Sequence, residues 1–376
     1  MVQRRSPELT TVTAGAAAPG PGRRRRSGWP LVLTALAVLA VLTATATVLR
    51  GNGTLAAWER ASVETSDAAQ LRLGWFGNLT HAPALAGGQL GLFEEALGGT
   101  ELIPQTFNTG PTTLEAMNAG EVDAAFLGPS PAINSYLQSG GESLRIVAGA
   151  TSGGAQFVVS SDVAGADDLA GRAFATPDFG GTQDVALRVW LQEHGYAVDG
   201  DGGNAVAINP MPNGQAFQAF QQGRLDGGWL PQPWATRLVQ EEGAGVLVDE
   251  AELWPGGRFP TTVLVVRADY LEQHPQTVEK LVRGLDASVD WLHEHEDDPV
   301  RLAEVLNAGL EAAQTEPLPQ TTLIGSLEQM GFTTDPMAGT YPRLLENAVR
   351  AGTTQPGSVE GIVDTTVLDR VREEGR

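Results

Sequence analysis

The chain has 376 residues, 42% hydrophobic and 18% charged, enough for two lobes with cores of their own. It contains no cysteine, which excludes disulfides, thiolate nucleophiles, iron–sulfur clusters, cysteine-type zinc sites and a lipid-modified N-terminal cysteine. The net charge is −21 while residues 1–62 hold eight Arg against two Glu, so the rest is more acidic still; that excludes nucleic-acid binding through a basic face and leaves any anion to local dipoles.

Residues 1–28, rich in Arg, Ala, Pro and Gly, read as a disordered cytoplasmic segment. Arg23, Arg24, Arg25 and Arg26 then precede an apolar run over 29–49 that carries no charge until Arg50. About 20 apolar residues cross a bilayer, so 29–49 reads as a transmembrane or signal helix with the Arg cluster inside and the body outside. Ala44-Thr45-Ala46 offers a signal-cleavage site; the length of the run favours a retained anchor. Residues 50–69 form a polar linker.

From Gln70 strands and helices alternate. Leu71, Leu73 and Trp75 give a strand, and an apolar-periodic stretch to Phe93 gives a helix. Strands follow at 102–107, 122–127 and 144–150, with helices opening at Gly110 and near Pro129. After a linker strand at 155–160 the cycle repeats: strands at 173–176, 205–208 and 227–230, helices at 185–194 and 215–222 and one opened by the segment Pro231-Gln232-Pro233-Trp234. A return strand spans 262–266, and the remainder is helical, with breaks near Pro299, Pro317, Pro336 and Pro342. The pattern predicts an α/β fold of two lobes, with mostly parallel sheets and helices on both faces. Lobe 1 takes 70–157 and 263–376, lobe 2 takes 158–262, and hinge strands lie near Phe157 and Val265. The helical C-terminal tail packs back on lobe 1. Ligands in such sheets sit beyond the carboxyl ends of the strands, here between the lobes.

One feature recurs: a strand end meeting a helix start, at Asn78–His81, at Gly110-Pro111-Thr112, at Gly128-Pro129-Ser130, at Gly180–Gln183 including Gly181, and at Pro231–Trp234. Helix starts present free N–H groups and partial positive charge, so several aimed at one point hold an oxyanion without Lys or Arg. Singly, each is also a plain helix cap. Trp229, Trp234 and Trp254, with Trp75 and Phe76 at the first strand's end, supply an apolar wall or simply core.

Gly180-Gly181-Thr182-Gln183-Asp184-Val185-Ala186-Leu187-Arg188 resembles the segment that opens the second lobe in ABC transporter substrate-binding proteins of the aliphatic sulfonate, taurine and nitrate type. Pro231-Gln232-Pro233-Trp234, Glu252-Leu253-Trp254-Pro255 and Asn78-Leu79-Thr80-His81 are similar to later and earlier segments of that family, in the expected order. The resemblance implies a type II periplasmic-binding-protein fold, related to thiamine-pyrimidine synthase-like proteins, that closes on its ligand. It implies contacts from Asn78, Thr80, His81, Gly110, Pro111 and Gly128 in one lobe, with Ser130. From the other it implies Thr182, Gln183, Gln232 and Trp234. Gln232 replaces a frequent Glu, which shifts the expected ligand from amino-sulfonates toward a simple anion.

The five His, with no HExxH, P-loop or nucleophile elbow, do not make an enzyme, and no metal or cofactor is expected. The thiamine-pyrimidine synthases carry a Cys-rich segment that this chain lacks. The function expected is therefore the extracytoplasmic binding component of an ABC importer, held at the cell membrane, delivering a small sulfonate-, taurine- or nitrate-like anion to a permease and its ATPase subunits. A membrane-tethered sensory receptor is the alternative, though about 28 residues leave no room for a cytoplasmic effector domain; a thiamine-pyrimidine-related binding protein is a third reading.

Overall fold

A computed structural model describes residues 67–198 and 204–374. The expectations over 1–28, 29–49 and most of 50–69 lie outside them. Among the described residues no helix is long and apolar enough to cross a membrane.

The first sheet begins with β1 (Gln70–Phe76), helices α1 (Ala82–Gln89) and α2 (Leu92–Leu97), β2 (Glu101–Phe107), α3 (Gly110–Asn118), β3 (Ala124–Leu127), α4 (Pro129–Gln138) and β4 (Leu144–Gly153). The chain then enters the second sheet: β5 (Ala155–Val159), β6 (Ala173–Thr176), α5 (Thr182–Glu193), β7 (Ala197–Val198), β8 (Ala205–Pro210), α6 (Asn213–Gln221), β9 (Gly227–Pro231), α7 (Trp234–Glu242) and β10 (Gly245–Asp249). It returns to the first with β11 (Pro260–Arg267) and continues through α8 (Ala268–Gln273), α9 (Pro275–Glu294), α10 (Pro299–Ala312), α11 (Gln320–Leu327), β12 (Met330–Phe332), α12 (Tyr341–Arg350) and α13 (Thr366–Glu374).

Strand order is β12-β4-β11-β3-β1-β2 in one sheet and β10-β5-β9-β6-β8-β7 in the other. β1 is parallel to β2 and β3, and β6 is parallel to β8 and β9, as βαβ crossovers require. β11, however, runs antiparallel to both β3 and β4, and β5 runs antiparallel to β9 and β10. Both sheets are therefore mixed, which corrects the expectation of mostly parallel ones. Strand β5 follows β4 without a helix, and β11 is inserted on the return path, so neither joins its sheet through a βαβ crossover.

The transfer between sheets comes at Gly153-Gly154 and across 250–259, a few residues from the expected positions; Phe157 and Val265 themselves are fully buried inside strands. Both glycines hold positive φ, +76° and +74°, where a side chain would be strained. In β11, Val263, Leu264, Val265 and Val266 are all buried, the continuous apolar run of a strand covered on both faces. One core packs Leu71, Leu73 and Leu264 against Phe93 of α2, Leu281 of α9 and Leu306 of α10. A second runs from Leu127 and Val263 through Phe259 to Phe157 and Trp229, so the halves share an apolar seam on the crossover side.

The tail also departs from expectation. α9, α10 and α13 pack on the first sheet's side, whereas α11 and α12 reach the second half. Thr322 donates to the Gln240 side chain at 3.0 Å, and Arg350 pairs with Glu193 at 2.9 Å. Pro299 and Pro342 stand in the first turns of α10 and α12 and so start helices there.

Candidate functional site

A cavity of ≈ 50 Å³ opens where strand ends of the two sheets face each other. The first half contributes Asn78, Thr80 and His81 after β1, Gly110 at the start of α3, and Gly128 before α4. The second contributes Gly181, Thr182 and Gln183 at the start of α5, with Pro231 at the end of β9. Segments more than 150 residues apart in sequence thus share one crevice.

Each is fixed locally. The Asn78 carboxamide accepts from the Thr80 N–H at 3.0 Å and the Thr80 hydroxyl at 2.5 Å, capping a short turn. His81 is buried, stacks on Phe76 at 4.4 Å, and its Nδ1 accepts the Phe76 N–H at 3.3 Å. Burial pushes its pKa down to about 3, so the ring is neutral and Nε2 carries the proton. The loop before α5 is held from below: the Asp184 carboxylate accepts from Thr176 at 2.9 Å, from the Gly180 N–H at 3.0 Å and from Arg188 at 2.8 Å.

The halves touch through Thr182. Its hydroxyl accepts the Ser130 N–H at 3.5 Å, and a Cβ placed on Gly128 would lie 2.7 Å from the same oxygen. Only glycine lets the two segments approach this closely. The Ser130 hydroxyl is buried without a partner.

The donor supply is narrower than five helix starts suggest. Proline removes the N–H at 129, 131, 231 and 233. The Gln232 N–H goes to the Gly154 carbonyl at 2.9 Å, and the Thr236 N–H goes to the Gln232 side chain at 3.1 Å. The free N–H groups at the cavity include those of the first turn of α5, at Thr182 and Gln183, which have no intrahelical partner. Lys and Arg are absent from the lining among the described residues.

The remaining expected residues lie elsewhere. Pro111 and Thr112 are exposed on the outer side of α3, and Pro129 is buried in the first turn of α4. Gln232 is buried as the cap just described. Trp229 is fully buried, stacked on Phe157 at 5.6 Å, its indole N–H donating to Glu250 at 2.7 Å. Trp234 packs against Phe217 and Arg237 on α7, and Trp254 lies in the crossover between Phe259 and Arg343. Trp229 and Trp254 belong to the second core and Trp234 packs on a separate small cluster with Phe217, whereas the rings lining the cavity are Phe76 and His81.

Sequence reasoning missed Asn108, Asp178, Asn213, Thr261 and Thr262, which also line the cavity. Asn108, Asp178 and Asn213 follow the carboxyl ends of β2, β6 and β8, so the strand-end rule could have found them. Thr261 and Thr262 begin β11 and reach this edge only because that strand runs antiparallel. The Asp178 Oδ2 and Asn213 Oδ1 atoms are buried and unpartnered. Burial, with Asp184 nearby, pushes the Asp178 carboxyl up to about 7. A larger cavity, ≈ 720 Å³, lies between Tyr136 and the 352–360 loop and shares none of these lining residues.

A model of the NMT1-like family matches residues 64–307. The taurine-binding periplasmic protein of Escherichia coli K12 is 26% identical over 187 residues, covering 50% of this chain and 56% of that protein. The nitrate/nitrite binding protein NrtA of Synechococcus elongatus is 28% identical over 127 residues, covering 34% of this chain and 26% of its own length. The chain thus spans about half or less of these two relatives. Among solved structures, the alkanesulfonate-binding protein SsuA of Xanthomonas axonopodis pv. citri, bound to MOPS, superimposes with a TM-score of 0.63 at 19% identity, covering 80% of this chain and 99% of that one. The periplasmic nitrate-binding protein NrtA of Synechocystis PCC 6803 gives 0.67 at 15% identity, with 82% and 89% covered. These likenesses show a two-sheet periplasmic-binding-protein fold, and the extent of the family match shows that this chain belongs to the NMT1-like family.

Proposed function

We propose that this protein is the extracytoplasmic solute-binding component of an ABC importer, one that captures a small oxyanion-bearing compound between its two sheets and delivers it to a permease and its ATPase. One observation carries the reading: strand-end segments from both halves line a single cavity while their side chains cap and brace one another. Such an arrangement binds only when the halves are together, so the ligand itself favours closure. The size of the cavity suits a compact ligand, well under the 300–1,000 Å³ typical of drug-sized guests. The relatives' names point to taurine, sulfonate and nitrate.

Calorimetric titration of the purified protein with taurine, short alkanesulfonates, nitrate and bicarbonate tests this. One-to-one saturable binding of at least one of them is expected. No heat and no thermal stabilisation with any of them would overturn the reading.

A further inference from the structure

Resting on that reading, we propose that capture is proton-coupled: the Asp178 carboxyl, which lines the cavity beside the start of α5, takes up a proton from solvent when an oxyanion binds. Gly181 marks where that carboxyl stands. A Cβ there would lie 2.7 Å from Asp178 Oδ1 and 3.1 Å from Oδ2. Gly181 holds an ordinary φ of −67°, so here glycine leaves room for the carboxyl rather than serving the backbone conformation. The next two residues, Thr182 and Gln183, carry N–H groups of the helix start that have no intrahelical partner. Donors for an oxyanion and a carboxyl thus share one turn. Asp178 Oδ2 is buried without a partner, and no Lys or Arg lines the cavity among the described residues. An anion entering a space of ≈ 50 Å³ therefore meets the carboxyl with no cation between them. Desolvated like charges in so small a space repel, so binding favours the protonated carboxyl, which can donate a hydrogen bond.

The charged groups that face Asp178 do not reverse this sign. Asp184, on α5, is held by Thr176, Gly180 and Arg188, and it adds negative potential at Asp178. Arg188 pairs with Asp184 and lies over the Phe179 ring at 5.1 Å. Glu115 of α3, which lines an adjoining pocket with Asp178, is exposed and negative. His81, from the first half, is buried and neutral. Burial and Asp184 already push the Asp178 carboxyl up to about 7, and a bound anion moves it further up. In acid the proton is in place before the ligand arrives. Above pH 7 binding must bring one in, so affinity falls as pH rises.

The test titrates taurine, ethanesulfonate, nitrate and bicarbonate, the last counted as the free ion, into the full chain by calorimetry at pH 6 and pH 8, each in two buffers of different ionisation enthalpy. For whichever compound binds, the expected result is about tenfold weaker affinity at pH 8 than at pH 6, with roughly one proton taken up per ligand at pH 8. Asp178→Asn, or Asp178→Ser should the amide variant not fold, takes up no proton and binds more tightly than the unmodified protein at pH 8, its affinities at the two pH values within about threefold of each other. Equal affinity at both pH values in the unmodified protein, proton uptake that persists in Asp178→Asn and so belongs to His81 or another group, or loss of binding in a folded variant overturns the coupling and leaves the proposed function standing. If none of the four compounds binds at either pH, the proposed function fails and the coupling with it.

Discussion

Thr182 is where both halves depend on one atom. Its hydroxyl is the acceptor for the buried Ser130 N–H. Thr182→Ala leaves that donor unpaired in the closed form, so ligand affinity should fall by roughly 1–3 kcal/mol with little change in the fold. Unchanged affinity by calorimetry would reduce Thr182 to a bystander. Glu250 is the second telling residue. It is fully buried in the crossover, and desolvation pushes its carboxyl up to about 8 although Trp229 and Trp254 donate to it. Because the native pKa exceeds the unfolded value, the native state binds more protons between pH 4.5 and about 8. Stability contributed by this group is therefore present in acid and is lost as pH rises through that window, by up to about 1.4 kcal/mol per pH unit. Urea unfolding of the wild type should show this decline relative to Glu250→Gln, whose amide has no charge to bury; parallel pH profiles would refute it. Neither residue's role was legible in the sequence beforehand. Thr182 was picked out by its place at a helix start, but its acceptor role depends on Ser130 arriving from the other half. Glu250 looked like one acid among many in a strongly acidic chain.

At the scale of elements, the alternation of strands and helices was readable because apolar periodicity and Gly or Pro breaks are local signals. Strand direction is not local. β3 and β11 carry the same kind of apolar run, yet β3 is parallel to β1 while β11 is antiparallel to both of its neighbours, and nothing within either segment says which. The edge strands β10 and β12 escaped for a different reason: Gly245 and Val246 of the one are exposed, and the other spans only Met330–Phe332, so neither has the buried alternation that announces a strand. The connection between β4 and β5 is the element on which the two-sheet arrangement turns. A Cβ on Gly154 would lie 2.4 Å from the Met330 side chain, and φ is +74°. Gly154→Ala should therefore lower unfolding free energy by about 1–3 kcal/mol, combining left-handed backbone strain with displacement of Met330. Urea midpoints at constant slope measure it, and a loss below about 0.5 kcal/mol would show that the crossover relaxes freely.

For the whole molecule, the question is whether the halves part. Two crossovers and an apolar seam join them on one side, while α11 and α12 bridge them through the Thr322–Gln240 contact and the exposed Arg350–Glu193 pair. Exposed pairs of that kind hold back motion by only about 0–1 kcal/mol, so they permit opening without favouring it. Across the cavity the contact is Gly128 and Ser130 against Thr182, and its geometry allows a direct test. A Cβ on Gly128 would stand 3.8 Å from the Thr182 Cβ, at the centre of the range for disulfides. Since the chain has no cysteine, Gly128→Cys combined with Thr182→Cys introduces a single possible intramolecular bridge. Oxidised without ligand, this variant should scatter X-rays with a smaller radius of gyration than its own reduced form, because the bridge holds the halves together and reduction lets them separate. The unmodified protein should contract similarly when it binds a solute. If oxidised and reduced forms have the same radius, the halves are already fixed against each other, and capture cannot proceed by closure.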